Sequence, residues 1–343
     1  MTALPVPRHF DAARVSEVWR VDYAARAPEA AAWARRHKIA PASRDEHRVC
    51  LMLVDCQNTF CIPGFELFVG GRSGTGAVDD NARLCEFIYR NLGRITEVAA
   101  TMDTHTALQV FHPVFWVNEN GEHPTGAATV ITVEDVETGR WKVNPEVAAS
   151  IAADGTEWLQ AHALHYVRTL AQGRFPLMVW PYHAMLGGIG HALVSAVEET
   201  LFFHAIARQT ATLFEMKGDN PLTENYSILS PEVLDGPRGE VVGQRNTAFF
   251  DHLLTFDAVI IAGQAKSHCV AWSVHDLLTG LQAEHPQFAE RVYLLEDCTS
   301  PVVVPDVIDF TDQADDAFRS FAEAGTHVVR STDAIDTWPG FER

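Results

Sequence analysis

The sequence predicts an α/β fold, a parallel sheet wrapped by helices, and three observations predict it. Several segments are apolar on nearly every residue, which suits strands buried on both faces. Helix-patterned segments separate most of them, and this alternation is what parallel strands joined by crossover helices require. The strands close on polar residues, so Asp55, Asp103, Lys217 and Cys269 fall along one carboxyl edge, where such sheets bind ligands.

The elements follow in order. Residues 1–48 read as a helical extension, amphipathic over 12–38 and broken at Pro28, because proline lacks the N–H that a helix interior needs. The first strand is 48–55, a run closed by Asp55, followed by a helix over 79–92 and a strand over 95–103. A helix over 190–207 precedes the strand 212–217, and the strand 257–263 leads through a short turn to a helix opening at Cys269. A strand over 291–295 closed by Glu296-Asp297, a helix over 312–324 and a last strand over 326–330 complete the pattern. The main domain therefore spans 49–334, with 335–343 as a tail. Residues 113–175, rich in Gly, Pro, Glu and Trp with a hairpin expected around 128–143, break the rhythm. They read either as an insertion capping the site or as a small separate domain.

Composition narrows the function. The 343 residues carry 26 Lys and Arg against 45 Asp and Glu, a formal charge of −19. That excess excludes a general phosphate-backbone binder and argues against docking on anionic lipid. No apolar run approaches the ~20 residues of a membrane span. The N-terminal segment lacks the apolar stretch of a signal peptide, and the six cysteines sit mostly in apolar segments. Together these predict reduced thiols and a cytoplasmic protein. The expected partners are a small molecule and further copies of the chain, with neither nucleic acid nor membrane.

Cys269 is the most suggestive residue. A thiol at a helix N-terminus gains from the partial positive charge there, which lowers its pKa, and backbone N–H groups of the same turn could hold an oxyanion. Taken alone, the residue reads first as a small buried hydrophobe. A pairing with His268 is discounted, since adjacent residues on a helix do not face each other. A carboxylate closing a buried strand is costly unless paired, and Asp55 has Lys217 at the same edge. If the three meet, Asp55 can take the thiol proton while Lys217 stabilises the charges; a structural Asp–Lys pair beside an inert thiol is the bland reading. A second cluster is Asp103 and His105, two apart on an extended segment, with His183 from the next loop. Two histidines and one carboxylate suit Zn²⁺, Fe²⁺ or Mn²⁺. His112 could be a fourth ligand or a neighbour, whereas His162 and His165 read as a solvated helix face.

In combination, Val54-Asp-Cys-Gln-Asn-Thr-Phe60-Cys, Asp103-Thr-His105, Trp180-Pro-Tyr-His183, Lys217-Gly, Tyr226-Ser and Gly263-Gln-Ala-Lys-Ser-His-Cys269-Val resemble the nicotinamidase branch of the isochorismatase-like cysteine hydrolases. The resemblance spans about residues 48 to 331. It implies a six-stranded parallel sheet in a Rossmann-like three-layer arrangement with helices on both faces. It also implies an Asp–Lys–Cys triad of Asp55, Lys217 and Cys269, with oxyanion donors at the backbone of Ala265 and Cys269. Phe60, Trp180 and Tyr226 would clamp a planar ring, and Asp103, His105 and His183 would hold a divalent metal, zinc ahead of iron or manganese. The implied reaction is hydrolysis of a small carboxamide, nicotinamide to nicotinate first. Other C–N bonds (N-carbamoyl, ureido or biuret-like), an isochorismatase-type hydrolase and a non-catalytic binding protein stay as alternatives. The chain departs from the family pattern in its extension, its insertion and Lys266-Ser267 before the nucleophile, where Lys266 could reshape the pocket.

Overall fold

Strand β1, Val49–Val54, is buried along its whole length because its side chains serve two cores. Val49, Leu51 and Leu53 enter one apolar cluster, while Cys50, Met52 and Val54 enter another on the opposite face. This is the period of two that a pleated strand imposes. The computed structural model describes residues 3–125, 129–173 and 175–341. Five further strands complete the central sheet: β2 Glu97–Asp103, β3 Leu213–Lys217, β4 Ala258–Gly263, β5 Val292–Leu295 and β6 His327–Val329. All pairings are parallel, in the order β6-β5-β4-β1-β2-β3. The order reverses between β1 and β4, and that reversal opens a crevice at their carboxyl ends.

Helices cover both faces. On one, α2 (Gly76–Arg90) and α4 (Ser195–Arg208) pack Leu84, Phe87, Ile88, Val197 and Leu201 onto the sheet. On the other, α5 (Ala271–Glu284) and α6 (Thr311–Glu323) contribute Val274, Leu277, Leu281, Phe318 and Phe321. Helix α1, Tyr23–His37, lies outside this layer and seats Ala30 and Trp33 against Phe203 and Ala207 of α4. It runs through Pro28 and does not break there. Packing of its buried face, with Asp22 capping the start, outweighs the roughly 3 kcal/mol that an interior proline costs.

The segment 113–175 builds most of a further core, with Phe115, Trp116, Leu159 and Tyr166 at its centre, Phe111 and Val179 joining from either side, and α3, Gly155–Leu170, as its main helix. The expected hairpin is absent among the described residues; Ala128 lies outside them. Thr129–Ile131 pairs instead with Leu177–Val179, and Lys142–Val143 pairs with Trp116–Val117. Between them Thr132 and Asp135 form a capping box that starts a short helix, Val133–Glu137, where a hairpin would need extended chain. His162 is also not solvated: it is buried, stacked on Trp158 and bonded to the Leu222 carbonyl, while only its neighbour His165 reaches the surface. Among the described residues no helix is long and apolar enough to cross a membrane. All six cysteines are free and buried.

Candidate active site at the sheet's carboxyl edge

Asp55 is the first residue beyond β1 and adopts φ +47°, a left-handed conformation that aspartate tolerates better than most residues. Its carboxylate is held from one side by Thr101 on β2, whose hydroxyl donates to Oδ1 at 2.6 Å and accepts the Asp55 N–H at 3.1 Å. Lys217 closes β3, with its Nζ 3.0 Å from Asp55 Oδ2, 2.8 Å from Asp103 Oδ1 and 2.9 Å from the Asn225 carbonyl. The same nitrogen stands 3.6 Å from Cys269 Sγ. Asp55 Oδ2 is close enough to Lys217 for an ion pair but receives no aligned hydrogen bond, so it keeps a lone pair for another proton.

Cys269 lies in a π-helical turn, Lys266–Val270, between β4 and α5. The turn is tied down by its own backbone, since the Ala265 carbonyl accepts from His268 and Val270. Gly263, which ends β4 at φ +114°, cannot be replaced: a Cβ there would sit 2.1 Å from the Val54 carbonyl oxygen. The helix-terminal thiol is not acidified in this resting form. Burial pushes the Cys269 thiol well above its ordinary pKa, and Lys217 only partly opposes that. Burial likewise raises the Asp55 carboxyl against the pull of Lys217. Burial works against charge on Lys217 too, yet Asp103 and Asp55 hold its ammonium well above the usual range. The set is thus a neutral thiol beside a carboxylate of heightened basicity, with an ammonium fixed between them.

Asp103, His105 and His183 also meet. His105 reaches Asp103 Oδ2 at 2.8 Å and His183 reaches it at 3.6 Å, each through Nε2. The segment carrying His183 docks beside β2 through a His105–Met185 bridge and the turn at Ala184, φ +47°. Each Nδ1 faces a backbone carbonyl, Gly218 for His105 and Pro181 for His183, both at 2.8 Å. A carbonyl only accepts, so each Nδ1 carries a proton, and in the neutral tautomer this leaves each Nε2 with a lone pair toward the carboxylate. Acceptors facing acceptors fit a cation between them, and the three ligand atoms lie within 4.8 Å of one another. Gly218 is required here: a Cβ would stand 2.7 Å from His105 Cε1 and 2.9 Å from Asp103 Oδ1. His112 packs its ring 5.9 Å from His105 and 5.8 Å from His183, outside the three-residue set, and burial lowers its pKa to about 3.

Beside these groups is a cavity of about 310 Å³, lined by Phe60, Trp180, Tyr226, Asp103, His183, Lys217, Ala265 and Cys269. Trp180 Nε1 donates to the Tyr226 hydroxyl at 3.2 Å, which locks two of the three aromatic walls together. Asp55 and His105 stand behind this lining. No described residue from 113 to 174 is among the lining side chains, and Phe175, at the end of the insertion, backs Tyr226 and His268 from outside. Nor does Lys266 enter: its ammonium turns away to Asp315 and lies over Phe318.

Four further residues belong to the site without standing out in the sequence. Gln57 grips the Asp103 backbone from both sides, accepting its N–H and donating to its carbonyl, each at 2.8 Å. The polar run Asp55-Cys-Gln-Asn after an apolar strand is a usable signal for it. His268 cannot face Cys269, yet its ring lines the cavity against Phe175 and Tyr226. Thr101 and Glu224 carry no local signal, since their roles depend on which strand or loop packs beside them.

The chain matches no protein-family model and no curated protein sequence. Solved structures similar to it include a nicotinamidase/pyrazinamidase from Acinetobacter baumanii, 17% identical over 84% of this chain and 99% of that one, TM-score 0.49. Another is the yeast nicotinamidase Pnc1p bound to the inhibitor nicotinaldehyde, 13% identical over 82% and 99%, TM-score 0.49. A third is an isochorismatase-like hydrolase from Alkaliphilus metalliredigens, 11% identical over 83% and 95%, TM-score 0.41. Each is similar to this chain in fold.

Proposed function

We propose that the protein is a cysteine-dependent amidohydrolase that converts a small carboxamide to its acid and ammonia, with nicotinamide as the reference substrate. The observation that carries this reading is the meeting of Cys269, Lys217 and Asp55 at one end of a cavity walled by Phe60, Trp180 and Tyr226. Aromatic walls suit a flat ring, and the thiol stands where the ring's carboxamide would lie.

In this reading Asp55 takes the proton of Cys269 as the sulfur adds to the carbonyl carbon. Its raised basicity makes that transfer less uphill than for an exposed carboxylate. Backbone N–H groups at Ala265 and Cys269 receive the developing oxyanion. The C–N bond then breaks, Asp55 returns the proton to nitrogen, and ammonia leaves a thioester behind. Water enters, Asp55 takes one of its protons, and hydroxide adds to the thioester. Collapse releases the acid, and Cys269 recovers its proton from Asp55. Lys217 remains charged throughout and offsets the negative charge shared by Asp55 and the sulfur. Asp103, His105 and His183 would hold a divalent cation, which when bound supplies a fixed positive centre that orients the substrate's polar edge.

The test is ammonia release by the purified protein across a panel of primary amides, ureas and N-carbamoyl compounds, before and after chelation. The reading expects primary ring amides to be hydrolysed and chelation to lower the rate. Turnover confined to ureas or N-carbamoyl compounds would replace carboxamides with another C–N bond. No ammonia from any compound would end it.

A further inference from the structure

We propose that the substrate is a neutral primary carboxamide with an apolar arm on its acyl side, the arm lying between the segments Phe65–Val69 and Val302–Pro305. This rests on the amidohydrolase reading above. The ring-sized slot beside Cys269 is only part of the cavity. The remainder is lined by Phe65, Leu67, Phe68 and Val69 on one side and by Val302 to Pro305 on the other. Its total of about 310 Å³ enters the range of roughly 300–1,000 Å³ typical of sites for multi-ring ligands, more than a single-ring amide occupies.

The arm must be on the acyl side. Asp55, which hands its proton to the leaving nitrogen, is fully buried behind Cys269 and Lys217, and the cavity does not reach it. The leaving group therefore has to be as small as ammonia, and any bulk must point the other way, toward the mouth.

The arm must also be apolar and not acidic. Among the described residues Lys217 is the only Lys or Arg lining the cavity, and its three protons are committed to Asp103, the Asn225 carbonyl and Cys269 Sγ. Glu66 is the carboxyl side chain within the Phe65–Val69 wall, and a carboxylate on the arm would meet it unpaired. The two walls are separately anchored. Leu67 and Val69 donate to the carbonyls of Thr59 and Phe60, and Val303–Val304 pairs with Ile308–Asp309 in a small hairpin. Across the mouth they are joined by Arg72, which pairs with Asp309 at 2.7 Å and Asp312 at 3.0 Å. Exposed pairs of this kind hold weakly, so the mouth can part to admit an arm.

The experiment uses benzamides bearing ring alkyl chains of increasing length, with a carboxylate-bearing benzamide as the charged comparator. Affinity is measured by calorimetry on Cys269→Ala protein, and kcat/KM for ammonia release on the wild type. The proposal expects affinity to rise about fourfold per methylene that the walls bury. It expects kcat/KM to rise in parallel, the charged comparator to bind at least about tenfold more weakly, and the gain with length to shrink in both Leu67→Asp and Val303→Asp. Affinity that is flat or falling with length, or tight binding of the carboxylate, would overturn it, and the series on unaltered walls decides this even if both wall variants misfold. If affinity rises with length while no amide releases ammonia, the arm site stands and the hydrolase reading falls.

Discussion

Asp103 and Lys217 are register partners on adjacent strands, and their side chains meet at 2.8 Å across the end of the sheet. The other oxygen of Asp103 faces His105 and His183, so one carboxylate is shared between the thiol's ammonium and the three-residue donor set. Burial opposes its charge, yet the Lys217 ammonium helps to hold it well below the usual carboxylate range. The two halves of the site are therefore not independent.

Asp103→Asn keeps the shape but removes that shared charge. Metal content after dialysis should fall, with affinity at least about tenfold weaker. Lys217 loses one of its two buried counterions, and stability should drop by about 3–5 kcal/mol in urea titration. Unchanged metal content with unchanged stability would separate the two halves.

Gly218→Ala tests the same point from the backbone. A methyl group at φ +85° would press on both Asp103 and His105. The variant should lose metal and activity together while its far-ultraviolet circular dichroism stays native. A variant that binds metal as the wild type does would show that this loop yields.

Alkylation reports the state of the thiol. All six cysteines are pushed up by burial, but Cys269 alone among them lines the cavity. Iodoacetamide should therefore modify Cys269 before the other five, slowly at pH 7 and faster as pH rises toward 9. Fast labelling at pH 6 that is independent of pH would mean a resting thiolate.

Acid stability has a traceable source. His204 is buried, bonded to the Ile95 carbonyl, and lowered by burial from 6.5 to about 4. Its folded pKa lies below its unfolded one, so the unfolded chain binds the extra proton first. The stability it contributes is complete above about pH 6.5 and is lost as pH falls through 4, to the order of 3 kcal/mol. The Tm should fall across that window, and less steeply in His204→Gln, which retains a donor for Ile95. Parallel slopes in the two proteins would assign the loss elsewhere.

Five of the six sheet strands are legible in the sequence because each is long enough, or apolar enough, to be read from one-dimensional pattern; the three-residue His327–Val329 is legible through its place after a helix in the alternation. The edge that gathers Asp55, Asp103, Lys217 and Cys269 follows from where those strands end. Thr129–Ile131 and Lys142–Val143 are not legible, since two or three residues carry no periodicity and their partners are set by a core that no local window contains. Pro28 misleads for the opposite reason, a correct local cost overruled by packing on α4. The acidified thiol fails likewise: a helix terminus is visible in sequence, but the depth of burial around Cys269 is not. The walls at Phe65–Val69 and Val302–Pro305 come together only in the folded chain.

Covalent catalysis by Cys269 is tested most directly by acid quenching of the protein during turnover of nicotinamide, followed by peptide mass mapping. The expected result is an acyl group carried as a thioester on the peptide containing Cys269, and neither adduct nor ammonia from Cys269→Ala. Ammonia released by Cys269→Ala at the wild-type rate, with no adduct on Cys269 in the wild type, would contradict it.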